Sequence, residues 1–242
     1  MINRTMDAAF LNEVCNHPEV HPWLGHEGVI DVTPAVSNPA NFALVTEGGG
    51  FIVIQHEPGV YEVHSQFLPE ARDSTVQAMR DGMDYVFTRT DCHTLLTQVP
   101  DNNKAALHLA KCGGFKKLFW RELTPRGPTA FMALRIDEWI QGNAELEADG
   151  EWFHDKLEAA KEAFGSQLPI HPHDPAHERA VGASVRMMKA GNYAKAVVSY
   201  NRWAGFAGYA PIALISQVPP LIDVGDAVIE IKDRDMEVVL CR

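Results

Sequence analysis

The sequence predicts a mixed α/β (α+β) protein in two domains: a mixed sheet flanked by helices, followed by a smaller α+β domain. Three observations carry that expectation. Three β-rich apolar runs follow one another between residues 42 and 68, separated by glycine turns. Two stretches of helical periodicity then alternate with further strand-like runs up to residue 136. An acidic, weakly patterned segment at 141–151 interrupts this order before a new series of helices begins.

Residues 5–16 (TMDAAFLNEVCN) place Met6, Phe10 and Val14 at helical spacing, and Asn16-His17-Pro18 ends the run. A loop rich in Pro, His and Gly is expected through Gly28. FALVT (42–46), FIVIQH (51–56) and VYEVHSQFL (60–68) read as strands. They are joined by Glu47-Gly48-Gly49-Gly50 and Glu57-Pro58-Gly59, turn residues that supply the positive φ of tight hairpins. A helix is predicted from Ser74 to Phe87, with Val76, Met79, Arg80, Met83, Val86 and Phe87 on its apolar side. TLLTQV (94–99) reads as a strand, and NKAALHLAKC (103–112) as a helix with Ala106, Leu109 and Ala110 inward and Gly113-Gly114 as its C-cap. KLFWREL (117–123) and TAFMALRI (129–136) complete this domain as two strands joined by TPRGP.

The acidic segment sets the division: residues 1–137, a linker over 138–150, and a C-terminal domain over 151–242. Helices are expected at 151–164, from the Asp174-Pro175 cap to Ala190, and at 193–206 after the Gly191-Asn192 break. Strands at 212–216, 226–231 and 236–241 follow, the last two joined by a turn at Lys232-Asp233-Arg234-Asp235.

Composition narrows the function classes. The chain has 242 residues with 21 basic and 32 acidic side chains, a net charge of −11, and 46% hydrophobic residues. That is an ordinary soluble globular composition. Basic residues number 11 against 17 acidic through residue 140, and 10 against 15 after it, so neither half offers a basic face to nucleic acid. A cationic acceptor or a basic partner surface suits the charge better. Cys15, Cys92, Cys112 and Cys241 are far apart and form no CxxC pair, which reads as separate thiols in a reducing compartment. With no apolar leader and no membrane-length run, a cytoplasmic protein is expected.

The segment VPDNNKAALHLAKCGGF (99–115) carries a resemblance. A strand ends, Asn103 opens a helix, Ala106 follows three residues later, and Gly114-Phe115 closes the unit. With the strand and helix order around it, this resembles the acetyl-CoA-binding region of the GNAT acetyltransferase superfamily, over about the first 137 residues. The resemblance implies a GNAT-like fold and an acyl transfer from acetyl-CoA to an amine. In that family the turn after the fourth strand holds the CoA pyrophosphate on main-chain amides at a helix start. Here that stretch is PEARDSTVQA (69–78). Arg72 matches its first position, Thr75 and Gln77 stand where small residues are usual, and Asp73 adds an anion. The implied cofactor contacts are Leu68, Arg72, Asp73, Ser74 and Thr75, with Asn103 and Ala106. Read by itself, the same stretch is a helix start with Asp73 or Ser74 as N-cap.

The family's proton-donating Tyr falls on Ala110, and Tyr61 and Tyr85 are the nearby hydroxyls in sequence. A general base for the amine is Glu62 or His64, which share a strand face with Gln66 by alternation. The plainer reading makes them polar residues on a half-solvated face. HPHDPAHE (171–178) gathers His171, His173, Asp174, His177 and Glu178, but an Asp N-cap with Pro175 at the first helical position accounts for it, so no metal is expected. His17, His21 and His26 lie irregularly in the early loop, and YNRWAGFAGYAP (200–211) reads as a helix end. No nucleophile elbow, P-loop or dinucleotide fingerprint occurs.

Two readings follow. One is an amine N-acyltransferase using acetyl-CoA. The other is a non-catalytic structural or interaction protein on a GNAT-like fold, a class found among virion and internal-core proteins of tailed bacteriophages, which the whole chain resembles. The first implies an amine-bearing acceptor in the cytoplasm, of the bacterial host if the chain is phage-encoded. The second implies protein partners in a larger assembly such as the virion; a homo-oligomer is compatible with either.

Overall fold

The computed structural model describes residues 2–123, 127–164, 174–207, 211–217, 219–223, 228–232 and 237–241. By its contacts the chain divides into two units, residues 1–87 with 91–136, and residues 88–90 with 137–242.

The first unit runs β1 (Asn3–Thr5), α1 (Ala9–Cys15), α2 (Thr33–Val36), β2 (Phe42–Thr46), β3 (Gly49–Glu57), β4 (Val60–Phe67), α3 (Thr75–Arg89), β5 (Thr94–Pro100), α4 (Lys104–Cys112), β6 (Lys116–Leu123) and β7 (Gly127–Arg135). Its seven strands form one sheet in the order β1-β2-β3-β4-β5-β7-β6. Every neighbouring pair is antiparallel except β4 and β5. This is the mixed α/β architecture the alternation predicts. β1 was not foreseen: residues 5–16 do not form one helix, because Asn3–Thr5 pair with Ala43–Val45 at the sheet edge and the helix begins at Ala9. Met6 accordingly lies exposed. The early loop contains a 3-10 turn at His21–Trp23 and the short α2.

Period-two alternation sends two residue sets to opposite sides of the sheet. On one side Ala43 and Ile52 pack against Ala8, Leu11 and Val36 of the α1–α2 region. On the other, Leu44, Phe51, Leu95 and Leu134 are fully buried, as are Val86 and Phe87 of α3. Met79 and Met83 are buried as the helical spacing predicts, whereas Arg80 is exposed. Gly82 is buried and packs closely on the Phe51 ring, from which an added Cβ would stand 3.2 Å. The edge strand β6 exposes Leu118, Phe119 and Trp120.

The second unit contains α5 (Ile136–Gly142), α6 (Glu145–Phe164), α7 (Pro175–Lys189), α8 (Tyr193–Ala207) and a four-stranded antiparallel sheet. That sheet consists of β8 (Ala213–Gln217), β9 (Pro220–Asp223), β10 (Val228–Lys232) and β11 (Glu237–Cys241), in the order β11-β10-β9-β8. The stretch expected as a linker, 138–150, is occupied by the end of α5 and the start of α6, with Asn143 and Ala144 between them. Its glycine and small residues serve packing: a Cβ on Gly150 would fall 2.3 Å from the Glu178 carbonyl oxygen, and one on Gly182 would fall 1.5 Å from that of Leu146. Sequence composition reads such residues as weak helix formers, and close approach of α6 to α7 overrides that preference. β9, which contains Pro220, was missed, and the expected turn at 232–235 lies largely outside the described residues. Among the described residues no helix is long and apolar enough to cross a membrane.

Candidate functional site

β4 and β5 pair in parallel only from Val60–Thr94 to Glu62–Leu96. Beyond that register the ladder stops, and Thr97 reaches β4 through its hydroxyl, which donates to the Val63 carbonyl at 3.0 Å. Two arrangements lie back to back on this diverging pair.

The first is polar. Glu62 is 6% exposed and receives hydrogen bonds from His56 Nε2 at 2.7 Å and Gln98 Nε2 at 2.9 Å. His64 Nε2 stands 3.5 Å from Glu62 Oε1. The buried carboxylate thus has an imidazole on either side, both partly open to solvent. Buried charge is tolerated where it is paired and hydrogen-bonded, and this one is both. Gln66, on the same strand face, keeps Oε1 buried with no hydrogen-bond partner among the described residues. Glu62 and His64 are brought together as alternation predicts. His56 and Gln98 were not foreseen. The register between β3 and β4 shifts between Gln55 and Glu57, and a bulge re-aims the extra residue. The proline-glycine turn after Glu57 was visible in the sequence; the bulge before it was not.

The second arrangement is a narrow cavity of about 10 Å³, room for one water, lined by Val63, Ser65, Met79, Thr97, Val99, Ala106, Ala110 and Phe115. Ala106 and Phe115, which carry the sequence resemblance, therefore converge on it. Asn103 caps α4, its Oδ1 accepting from Ala106 N at 3.0 Å. That side chain satisfies the protein's own backbone. The helix ends in a Schellman arrangement: Gly114 takes φ +86° and Phe115 N donates to Ala110 O at 3.0 Å. Ala110 places no hydroxyl in this cavity. Tyr61 is committed elsewhere, its phenol donating to Asp91 Oδ1 at 2.6 Å. Burial, and then the hydrogen bond to Asp91, push its pKa well above the usual phenol value. Tyr85 packs near Phe42.

The segment expected to hold pyrophosphate differs from the expectation. A 3-10 helix occupies Pro69–Ser74 and runs directly into α3, so the helical start is Leu68, not Asp73 or Ser74. Ala71 N donates to Leu68 O and Thr75 N to Arg72 O. Amides within a 3-10 turn bond three residues back, which consumes those of Ala71 and Thr75 inside the turn. The hydroxyls turn inward too, Ser74 Oγ donating to Ala71 O and Thr75 Oγ1 to Arg72 O. Leu68 N donates to Gly48 O at 2.8 Å, and a Cβ on Gly48 would stand 2.2 Å from that of Ala71, so the hairpin glycine fixes the turn. Arg72 and Asp73 are exposed. A dianion would meet the Arg72 guanidinium between Glu70 and Asp73 rather than a row of open amides.

In the second unit Asp174 caps α7 as predicted, accepting from Ala176 N at 3.0 Å. His171 and His173 lie outside the described residues. His177 is buried beside His154 and Glu178, a neighbourhood that linear spacing does not show.

No protein-family model matches this chain, and no curated protein matches it in sequence. Among solved structures it is similar to a GNAT-family acetyltransferase from Bacillus anthracis (16% identity, 51% of this chain and 86% of that one, TM-score 0.44). It is similar also to an aminoglycoside N(6')-acetyltransferase from Legionella pneumophila (14% identity, 59% and 96%, TM-score 0.49). A third is spermidine N-acetyltransferase from Vibrio cholerae in complex with CoA and spermine (16% identity, 57% and 98%, TM-score 0.46).

Proposed function

We propose that the first unit is an N-acyltransferase that moves an acetyl group from a thioester donor of the acetyl-CoA type to an amine. The observation that carries this reading is the buried Glu62 carboxylate set between His56 and His64 where β4 and β5 part. An amine attacking a thioester carbonyl must lose a proton as the C–N bond forms. In this reading His64 takes it and Glu62 stabilises the resulting imidazolium; alternatively Glu62 takes it directly. The C–S bond then breaks, and the departing thiolate draws its proton from solvent, because Ala110 supplies no hydroxyl.

The residues fit the acyl end of such a donor better than its phosphate end. Ala106 and Ala110 leave small side chains along the cavity. Thr97 Oγ1 and the Ser65 hydroxyl are the polar groups along the divergence. The pyrophosphate is left with the Arg72 side chain, so donor affinity rests mainly on the acyl and pantetheine portion. The net charge of −11 favours a cationic acceptor such as a polyamine. The resemblance to phage-encoded proteins has no counterpart in these comparisons and no bearing on the chemistry proposed.

The test is thiol release from acetyl-CoA with a polyamine panel, beside calorimetric titration of acetyl-CoA and of S-acetylpantetheine. Wild-type turnover is expected, and Glu62→Gln lowers kcat by roughly 10²–10⁴-fold while donor affinity is kept. Absence of donor binding up to millimolar concentration, together with no thiol release, would remove the enzymatic reading and leave the non-catalytic interaction module.

A further inference from the structure

The second unit contains a cluster of donor side chains that acyl transfer does not use. His154 lies on α6, and His177 and Glu178 lie on α7. Their relative exposures are 6%, 3% and 5%. One donor atom from each lies within 4.8 Å of the others, and His154 Nε2 stands 3.2 Å from Glu178 Oε1. We propose that His154, His177 and Glu178 form a buried site for a divalent transition metal, with Zn²⁺ the ion that fits the donor set.

Geometry comes first. Ligands held at about 2.0–2.2 Å from one ion are separated from each other by about 3.0–3.5 Å in tetrahedral or octahedral arrangements. The His154–Glu178 pair already has that spacing. A side-chain adjustment of roughly an ångström brings His177 in to complete three ligands at such a distance. The rings of His154 and His177 have centroids 5.3 Å apart with a 42° interplanar angle, so they tilt toward one another without stacking. The Tyr200 ring meets His177 edge-on at 5.9 Å and backs it.

The backbone is shaped to bring these groups together. A Cβ at Gly150 would fall 2.7 Å from Glu178 Oε2, and one at Gly182 would overlap the Leu146 carbonyl. Only glycines permit α6 and α7 to approach this closely, and the Glu178 carboxylate is pressed against α6 as a result. The basic residues of α7 have carboxylates of their own: Arg179 pairs with Glu147, and Arg186 and Lys189 pair with Asp149.

Charge supplies the third argument. One buried carboxylate can be matched by one imidazolium, but a second imidazolium beside it would repel the first. A divalent ion instead takes both imidazoles neutral and compensates the ionised carboxylate, a charge that a dry interior otherwise penalises. Two imidazoles and a carboxylate suit Zn²⁺ and neighbouring transition ions; Mg²⁺ and Ca²⁺ prefer oxygen donors alone. An ion held by these three buried side chains ties α6 to α7, and a small molecule such as water completes its coordination.

The test uses the full chain, stripped by dialysis against EDTA, loaded with Zn²⁺ and passed through a desalting column. Elemental analysis is expected to give one zinc per chain and a raised Tm. His177→Gln/Glu178→Gln loses both the zinc and the rise, with affinity weakened beyond the roughly 10–100-fold typical of losing a mere supporting partner. His56→Ala, which removes an exposed imidazole of the first unit, retains the zinc. Cobalt substitution of the wild type gives visible d–d absorption, a readout that does not depend on the variants folding. A wild type that holds no zinc after desalting and shows no cobalt bands overturns the proposal. So does zinc content that a folded double variant leaves unchanged.

Discussion

Removing the Tyr61 hydroxyl isolates one buried polar contact and its dependence on pH. Tyr61 is 5% exposed; its Oη donates to Asp91 Oδ1 at 2.6 Å and accepts from Gln55 Nε2 at 2.9 Å. Asp91 Oδ2 meanwhile accepts from Gly59 N at 3.0 Å, so the carboxylate joins the turn after β3 to the start of β5. Tyr61→Phe leaves ring packing intact and takes one partner from a charged acceptor. That costs about 1.5–3 kcal/mol, the range for hydrogen bonds to charged groups. At roughly 2–4 °C per kcal/mol for a chain of this size, Tm falls by about 3–12 °C. The pH dependence has a definite sign. Burial and Asp91 raise the phenol pKa above its ordinary value of 10.0, so Tyr61 contributes its full stabilisation below pH 10. The contribution is lost as pH rises through the folded-state value. Burial likewise pushes the Cys15 thiol up to about 11 from 9.0, so both proteins weaken in alkali and only their difference is informative. Urea unfolding by far-UV circular dichroism at pH 7, 9 and above 10 measures it. A gap below about 0.5 kcal/mol at pH 7 would contradict a charge-assisted bond, and a gap that widens above pH 10 would contradict the linkage.

The remaining predictions concern glycines, a cap and thiols. Gly182→Ala should destabilise the protein by about 1–3 kcal/mol or more despite alanine's better helix propensity, because the added Cβ meets the Leu146 carbonyl at 1.5 Å. Gly205→Ala, in α8 with nothing within 4 Å of the new Cβ, should instead stabilise by about 0.5–1 kcal/mol; thermal unfolding of the pair gives opposite signs. Asn103→Ala should cost about 0.5–2 kcal/mol through the lost cap and raise hydrogen exchange over Lys104–Cys112. Among Cys15, Cys92 and Cys112, the exposed Cys112 should react first with a thiol reagent in the native state. Peptide mapping identifies the modified residue, and early labelling of Cys15 would contradict its burial.

Much of the first unit was legible because its signals are local. Alternation with glycine turns marks β2, β3 and β4, and Asn103 with Gly113-Gly114 marks both ends of α4. What was missed depends on distance in sequence. β1 is three residues long and exists by pairing with β2. α6 begins in a stretch whose Gly150 looks like a breaker until α7 is laid against it. Glu62 and His64 were visible as one strand face, whereas His56 joins them only through the pairing of β3 with β4 and Gln98 only through the parallel pairing. His177 stood out within a histidine-rich segment, but its partner His154 sits 23 positions earlier on another helix.

The turn after β4 is built differently from an open helix start. An open helix start presents several free amides to an anion. Here Pro69, which has no amide hydrogen, begins a 3-10 turn, and the inward hydroxyls of Ser74 and Thr75 reinforce it. Gly48, packed against Ala71, holds that turn against the β2–β3 hairpin, so opening it would disturb two elements. Replacing Thr75 and Gln77 by glycine would therefore not restore a phosphate cradle by itself; the whole turn from Leu68 would have to unwind into α3. The polar cluster around Glu62 is free of that constraint, because it is built on β3, β4 and β5 and does not touch the turn's hydrogen bonding. The residues proposed for proton transfer and the turn after β4 thus belong to separate parts of this unit, and that separation makes a donor lacking the phosphates the informative probe of the proposed site.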